Sequence, residues 1–306
     1  IELSRINRFA GTMILFWPFA WSLTMSALEF KIELFRYLQI LAVGFAGAIL
    51  LHSGGSMVII LTHSGGGCIW NDIVDCDLDA QVERTKVRPL PTGRITIPQA
   101  LAFLAVHVGL IFWISQDLGS LAWWIVFSTV IPLAGLYPFM KRITYFPQIW
   151  LGVTLNAPIL LPSAIFVSHI SPSSKILALG GLTWTLWYDT IYACQDRQDD
   201  AKAGVKSITL LLDQRVKQGL GAFASVISFS WFMAGHLSGN GLFFLLVGAG
   251  GGSILLARDL LRTDVNNPKS CLRAFENNGF VIGPTVFVGF LADYLWKQRS
   301  MLQQLL

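Results

Sequence analysis

Nine long apolar runs divide this chain and constrain its fold more than any other feature. Most are long enough to cross the roughly 30 Å hydrocarbon core of a bilayer as helices. Only 13% of the 306 residues are charged, which is about half the charged fraction of soluble domains. We therefore expect an all-α integral membrane protein, a single domain over residues 1–306 with about nine transmembrane helices. The approximate runs are 9–28, 38–62, 98–114, 120–139, 147–168, 176–194, 218–236, 240–257 and 278–295.

The basic residues are distributed unequally between the two sides that this span count defines. The loops 63–97, 140–146, 194–217 and 258–277 fall on one side, together with the amino terminus. The positive-inside rule predicts that this side faces the cytosol of an endomembrane, or the matrix at a mitochondrial inner membrane. A net charge of +4, spread over short loops, gives no reason to expect a nucleic-acid partner. Of the 22 Lys and Arg residues, 17 lie on the positive side and five on the other: Lys31, Arg36, Lys175, Lys297 and Arg299.

An acidic stretch, Asn71-Asp72-Ile-Val-Asp75-Cys-Asp77-Leu-Asp79, follows the second apolar run. On a helix, Asp72, Asp75 and Asp79 fall within about 60° of each other, whereas Asp77 points away. Three carboxylates on one face repel each other unless a cation lies between them. The spacing therefore predicts a cation site at the end of this span.

A second acidic stretch, YDTIYACQDRQDD at 188–200, follows the sixth run and lies on the same side of the membrane. Asp189 lies within the apolar run itself, where an ionisable residue is a functional candidate by default. If one helix continues through this stretch, it presents a single acidic face made by Asp189, Tyr192, Asp196, Asp199 and Asp200.

The oxygen-rich composition of both stretches favours a hard divalent cation. Neither stretch contains the histidine that a zinc site would favour, and Mg²⁺ usually binds through a few carboxylates together with substrate phosphates. We therefore predict Mg²⁺ as cofactor, with ligands drawn from Asp72, Asp75, Asp79, Asp196, Asp199 and Asp200.

Cationic residues follow each acidic stretch. Lys86 and Arg88 come after the first, and Lys206 comes after the second. Metal ions combined with Lys and Arg can hold a diphosphate. We therefore expect these three side chains to bind the diphosphate of a substrate.

The two stretches resemble the paired motifs of the UbiA family of intramembrane prenyltransferases. The family pattern N-D-x-x-D-x-x-x-D after the second span reads NDIVDCDLD here, and the motif after the sixth span reads YDTIYACQDRQDD. The segments VERTKVRPLPTG, GVKS and YPFMKR are similar to the 4-hydroxybenzoate polyprenyltransferase branch. Trp70, directly before the first motif, resembles fungal members that prenylate polyketide-derived aromatic acids in meroterpenoid biosynthesis.

This resemblance implies transfer of a polyprenyl group, with farnesyl as the expected length, from its diphosphate to a ring carbon of an aromatic acid. Asn71 would join the diphosphate site, and Tyr188 and Tyr192 would stabilise the allylic cation through their ring faces. Asp189 would orient the acceptor hydroxyl or take the ring proton. Arg142 would bind the acceptor carboxylate.

Three other functions stay open at the level of the sequence. The chain resembles the 4-hydroxybenzoate polyprenyltransferases of ubiquinone biosynthesis, which use a long donor. An intramembrane terpene cyclase would share the diphosphate site without an aromatic acceptor. A cation-coupled transporter would also place carboxylates in a membrane, although both acidic stretches lie at one interface and we find no inverted repeat.

Overall fold

The computed structural model describes residues 9–52, 66–81, 85–202 and 206–305, and within these ranges it contains helices and no strand. The all-helical prediction is therefore confirmed for the described part of the chain. In the first half the α-helices are α1 (Phe9–Glu29), α2 (Leu34–His52), α3 (Gly66–Val74), α4 (Cys76–Asp79), α5 (Ile97–Ser115), α6 (Ser120–Ile125), α7 (Ile131–Ile143), α8 (Pro147–Asn156) and α9 (Leu161–Val167). They are followed by α10 (Pro172–Ala193), α11 (Arg197–Lys202), α12 (Ile208–Leu212), α13 (Val216–Leu237), α14 (Gly252–Arg262), α15 (Pro268–Asn277) and α16 (Gly283–Leu305).

Helices of the described chain overlap all nine predicted runs, but they do not all meet the same standard for crossing a membrane. Six are long and apolar enough by length and composition, and α2 and α5 are shorter. The sixth run became α10, whose 22 residues include several serines and threonines and Asp189. A multi-pass membrane protein is therefore supported, whereas the count of nine spans stays a prediction. The six are Phe9–Glu29, Ser120–Met140, Pro147–Val167, Ile208–Leu237, Phe244–Arg262 and Pro268–Ser300.

Helix α10 lies at the centre of the bundle and packs against α8, α13 and α15. Two of its buried polar side chains hydrogen-bond to partners on neighbouring elements. Asn156 on α8 donates its amide to Thr185 at 2.8 Å, and Trp184 donates its indole N–H to Asn278 at 2.9 Å. These bonds fix α10, and with it the second acidic stretch, relative to the surrounding helices.

The first helix is joined to the last by two buried tryptophans. The indole N–H of Trp17 donates to the carbonyl of Gly279 at 2.6 Å, and that of Trp21 donates to Gly283 at 2.9 Å. The bonded carbonyls lie around a π-helical segment, Asn278–Ile282, just before Pro284. Because Pro284 has no N–H to donate to the carbonyl of Gly279 at the π-helical spacing, the Trp17 indole supplies a donor to that carbonyl.

Candidate active site

The helix that carries the first acidic stretch is held in place by apolar contacts and one polar anchor. Ile69 on α3 packs in a small buried cluster with Leu90 and Ala100, the latter on α5. Trp70 donates its indole N–H to the carbonyl of Gly135 on α7 at 2.8 Å. The residue singled out in the sequence for its likeness to fungal enzymes therefore anchors the motif in this structure.

The first stretch breaks at Asp75, where α3 ends and the short α4 begins. Asp72, Asp75 and Asp79 are nevertheless buried, and Asp77 is exposed. The burial of these three carboxylates and the exposure of Asp77 match the predicted separation of Asp77 from the others, whereas a shared metal-facing side for all three stays a prediction. Burial, followed by the negative charges of Asp77, Asp79 and Asp72, raises the pKa of the neighbouring Cys76 thiol. This direction of shift is the one expected in a negative electrostatic environment.

A loop that begins at Thr85 brings the Arg88 guanidinium within hydrogen-bonding distance of two of these carboxylates. Arg88 donates to Asp72 at 3.0 Å and also to Asp79. Thr85 fixes the start of the loop by donating its hydroxyl to the backbone carbonyl of Asp79 at 2.9 Å. The Arg88 guanidinium therefore pairs with two carboxylates that the sequence assigned to a metal ion. The metal-binding role of Asp72 and Asp79 and the diphosphate-binding role of Arg88 stay predictions.

The second stretch is not one continuous helix. Helix α10 ends at Ala193, a turn occupies 194–196, and α11 begins at Arg197. The turn changes which side chains share a face, so the predicted single acidic face needs correction at Asp199. Asp199 instead lies within 3.9 Å of Lys202, and its side chain is 37% exposed.

The two acidic stretches meet across one cavity of about 210 Å³. Their meeting at a single site is what the span count predicted. The residues that line the cavity are Asn71, Asp75, Leu78, Asp79, Thr85, Arg88, Tyr137, Pro147, Gln148, Asp189, Tyr192, Ala193, Asp196, Asp200, Lys206 and Ser207.

The cavity wall carries an excess of negative charge. Among the residues that the structure describes, five aspartates line it against two cations, Arg88 and Lys206, which gives these seven side chains a formal charge of −3 when all are ionised. The ammonium of Lys206 donates to the carbonyl of Ile143 at 3.2 Å, at the end of α7. Both cations of the wall therefore already have protein partners.

Four predicted site residues with described side chains do not line this cavity: Asp72, Asp199, Lys86 and Tyr188. Asp72 is buried outside the cavity and accepts a hydrogen bond from Arg88, which does line it, and Lys86 is exposed. The Tyr188 hydroxyl lies 3.0 Å from that of Thr185, and its ring contacts Trp184, so it belongs to the core. Arg142 lies near the end of α7, and its side chain is outside the described atoms.

Several wall residues had no assigned role in the sequence: Thr85, Tyr137, Gln148 and Ser207. Three of them fall within segments that carry the family resemblance. Gln148 is different, because nothing at the sequence level distinguished it. Its only signal is a polar side chain at the start of an apolar run, directly after Pro147.

The donor set fits a hard divalent cation. The described residues of the wall present carboxylate and amide oxygens and neither histidine nor cysteine. Within the described residues, no group of three His, Cys, Asp or Glu side chains is close enough together to hold a metal ion by itself. Mg²⁺ usually completes its shell with water and substrate phosphate oxygens, so this wall suits ions shared with a bound diphosphate.

Comparison with known proteins decides the family. The sequence profile of the UbiA prenyltransferase family matches residues 15–283. The chain belongs to the UbiA prenyltransferase family. It is therefore a prenyltransferase, and this membership favours an enzyme over the transporter alternative.

Relatives within this family align with nearly the whole chain. The UbiA prenyltransferase claS of Ampulloclitocybe clavipes is 45% identical over 97% of this chain and 91% of its own length. The mitochondrial 4-hydroxybenzoate polyprenyltransferase of Schizosaccharomyces pombe is 31% identical over 95% of this chain and 79% of its own. The 4-hydroxybenzoate octaprenyltransferase of Pseudomonas aeruginosa is 33% identical over 96% and 93%.

Solved structures of UbiA homologues share the fold. That from Aeropyrum pernix superposes with a TM-score of 0.71 at 20% identity, over 90% of this chain and 97% of its own. That from Archaeoglobus fulgidus, bound to GPP and Mg²⁺, gives 0.62 at 12% identity, over 96% and 99%. The predicted UbiA-type architecture is therefore confirmed.

Proposed function

We propose that this UbiA-family enzyme is a Mg²⁺-dependent aromatic prenyltransferase, and the charge of its cavity wall carries the proposal. A diphosphate is strongly anionic and would be repelled by a wall with five aspartates and two cations. Divalent cations reverse this sign, since two of them would outweigh a wall charge of −3. The Archaeoglobus fulgidus homologue was solved with a prenyl diphosphate and Mg²⁺, which supports this combination of ligands.

The two acidic stretches would hold the diphosphate end of the donor. Asn71, Asp75 and Asp79 would supply metal-facing oxygens from one wall, and Asp196 and Asp200 from the other. A bound divalent cation would act as a Lewis acid that stabilises the charge developing on the leaving diphosphate. Asp72 and Asp199 would act from outside the cavity, since neither lines it.

The cationic side chains would bind diphosphate oxygens directly. Arg88 and Lys206 already line the cavity, and guanidinium groups suit bidentate recognition of phosphate. Lys86 would approach from the exposed surface of its loop. Breaking the bond between the donor's allylic carbon and its diphosphate oxygen leaves an allylic cation, and the diphosphate departs with the electron pair.

The acceptor would lie beside the second stretch. Asp189 lines the cavity one turn before Tyr192, so its carboxylate suits orienting an acceptor hydroxyl or taking the proton lost by the ring. The Tyr192 ring lines the cavity and would stabilise the allylic cation by roughly 0.5–2 kcal/mol. The same role for Tyr188 would require its ring to reach the cavity from the core. The aromatic carbon beside the hydroxyl then bonds to that cation. Arg142 would bind a carboxylate on the ring.

For the substrates, we propose a farnesyl donor and a hydroxybenzoate-type or polyketide-derived aromatic acid, in the biosynthesis of a meroterpenoid. The resemblance of Trp70 to fungal members that prenylate polyketide-derived acids supports this choice, and the chain is more similar to claS, at 45% identity, than to the 4-hydroxybenzoate enzymes, at 31–33%. The second candidate is the 4-hydroxybenzoate polyprenyltransferase of ubiquinone biosynthesis, which those latter relatives support. The positive-inside rule supports an active site that faces the cytosol, or the matrix if the enzyme is mitochondrial.

A substrate panel tests this proposal. Membranes that contain the enzyme would be given hydroxybenzoates and larger aromatic acids, each with geranyl, farnesyl and longer prenyl diphosphates, and products would be identified by mass spectrometry. We expect a ring-prenylated acid, with the farnesyl donor preferred. Preference for 4-hydroxybenzoate with long donors would favour the ubiquinone function. Prenyl products formed without any acceptor would contradict aromatic transfer.

A further inference from the structure

Gln148 is a buried polar side chain on the cavity wall that the reaction described above does not use. It lies in the first turn of α8, directly after Pro147, and its exposed fraction is 3%. Burial of an amide without hydrogen bonds is costly, so its donors and acceptor need partners. Because it also lines the active-site cavity, one of those partners can be a substrate.

One hydrogen bond sets the orientation of the Gln148 amide. The backbone N–H of Ile208, at the start of α12, donates to its Oε1 at 3.4 Å. A backbone N–H is only a donor, so it must face the amide oxygen rather than the amide nitrogen. The NH₂ group is therefore left to face the cavity, and no acceptor bonds to it among the described residues.

This NH₂ group differs from the two cations of the same wall. Arg88 donates to Asp72 and Asp79, and Lys206 donates to the carbonyl of Ile143. A neutral amide forms no ion pair with the aspartates around it, so it stays available to a substrate oxygen. It is also held on two elements at once, because α8 carries it and α12 fixes its oxygen.

We propose that the Gln148 amide is a substrate-binding donor that hydrogen-bonds to an anionic oxygen of a bound substrate. This inference rests on the proposed function. Two substrates offer that chemistry, since the prenyl donor presents diphosphate oxygens and the aromatic acceptor presents phenol and carboxylate oxygens. A fixed donor aimed at either one is placed before the reaction begins, which lowers the cost of binding.

The test compares Gln148→Glu and Gln148→Met with the wild-type enzyme. Gln148→Glu keeps an oxygen for the Ile208 N–H but loses the NH₂ group, and Gln148→Met loses that group without adding charge. We expect both to raise the KM of the same substrate, by roughly ten- to a hundredfold, as for a lost hydrogen bond to a charged group. A rise for the prenyl diphosphate identifies the donor as the partner, and a rise for the aromatic acid identifies the acceptor.

Gln99→Glu is the matched control. Gln99 also accepts a backbone N–H through its side-chain oxygen, from Thr96 at 2.9 Å, and it lies away from the cavity in the exposed capping box of α5. A glutamate serves that box equally well, so both KM values should stay at wild-type levels.

Three results would overturn the inference. The first is unchanged KM values in both Gln148 variants. The second is an effect confined to Gln148→Glu, which would mark it as added charge. The third is a lower Tm with reduced kcat and unchanged KM, which would mark a structural glutamine. If the wild-type enzyme itself transfers no prenyl group, the proposed function fails instead.

Discussion

Asp75→Asn and Asp196→Asn are each expected to abolish nearly all prenyl transfer while leaving the protein folded. The two carboxylates lie on opposite walls of the cavity, and each change removes one negative charge with little change in shape. Loss of one preorganised electrostatic group costs on the order of 10²–10³ in rate, and these groups would act on the ions and the diphosphate together. Steady-state transfer at saturating Mg²⁺ measures the effect on kcat/KM.

Asp77→Asn is the control for this pair, because it makes the same change in the same motif at an exposed position. We expect it to retain wild-type activity, since Asp77 points away from the cavity. Equal losses from Asp77→Asn and Asp75→Asn would mean that the motif acts through its total charge. Near-normal transfer by Asp196→Asn would show that the second stretch does not bind the leaving group.

Gly289→Ala is expected to lower the free energy of unfolding by about 3 kcal/mol, toward the upper end of the range for overpacking. A Cβ atom at Gly289 would lie 2.5 Å from the backbone nitrogen of Gly248, on the neighbouring segment Phe244–Gly251. Backbone atoms cannot rotate away, so the two helices must separate. Separation would also disturb the stacked rings of Phe244 and Phe290, whose centroids are 3.7 Å apart.

Thermal unfolding in detergent micelles measures this loss, with Gly109→Ala as the control. Gly109 lies in α5, and a Cβ atom there would meet no other atom of the described residues within 4 Å. That substitution should keep or raise Tm, because alanine is favoured over glycine within a helix by roughly 1 kcal/mol. An unchanged Tm for Gly289→Ala would mean that α16 and its neighbour are not packed at backbone contact.

Sequence spacing predicted which carboxylates of the first stretch are buried, because helical periodicity depends only on nearby residues. The separation of Asp77 from Asp72, Asp75 and Asp79 follows from the angle between successive helical residues. The same rule failed at Asp199, because it assumed a helix that continues past Ala193. Nothing in the local residues marks the turn at 194–196, whose position depends on how α10 ends against its neighbours.

The apolar runs can be found in the sequence, whereas the partners of the polar side chains depend on how the helices and loops pack. Helix α10 reads as a membrane span from its apolar run, yet its Thr185 hydroxyl and Trp184 indole hydrogen-bond to neighbouring helices rather than facing lipid. Arg88 was expected at the diphosphate, and its bonds to Asp72 and Asp79 depend on how its loop folds back. Gln148 was missed for the same reason, since its partner Ile208 is distant in sequence.

Removal of divalent cations tests whether prenyl transfer by this enzyme requires Mg²⁺. The purified enzyme in lipid nanodiscs would be stripped with EDTA, given farnesyl diphosphate and its preferred aromatic acid, and then titrated with Mg²⁺. We expect no transfer after chelation and full recovery as Mg²⁺ is restored, because the cavity wall repels the diphosphate without cations. Transfer that survives chelation at an undiminished rate would contradict this requirement.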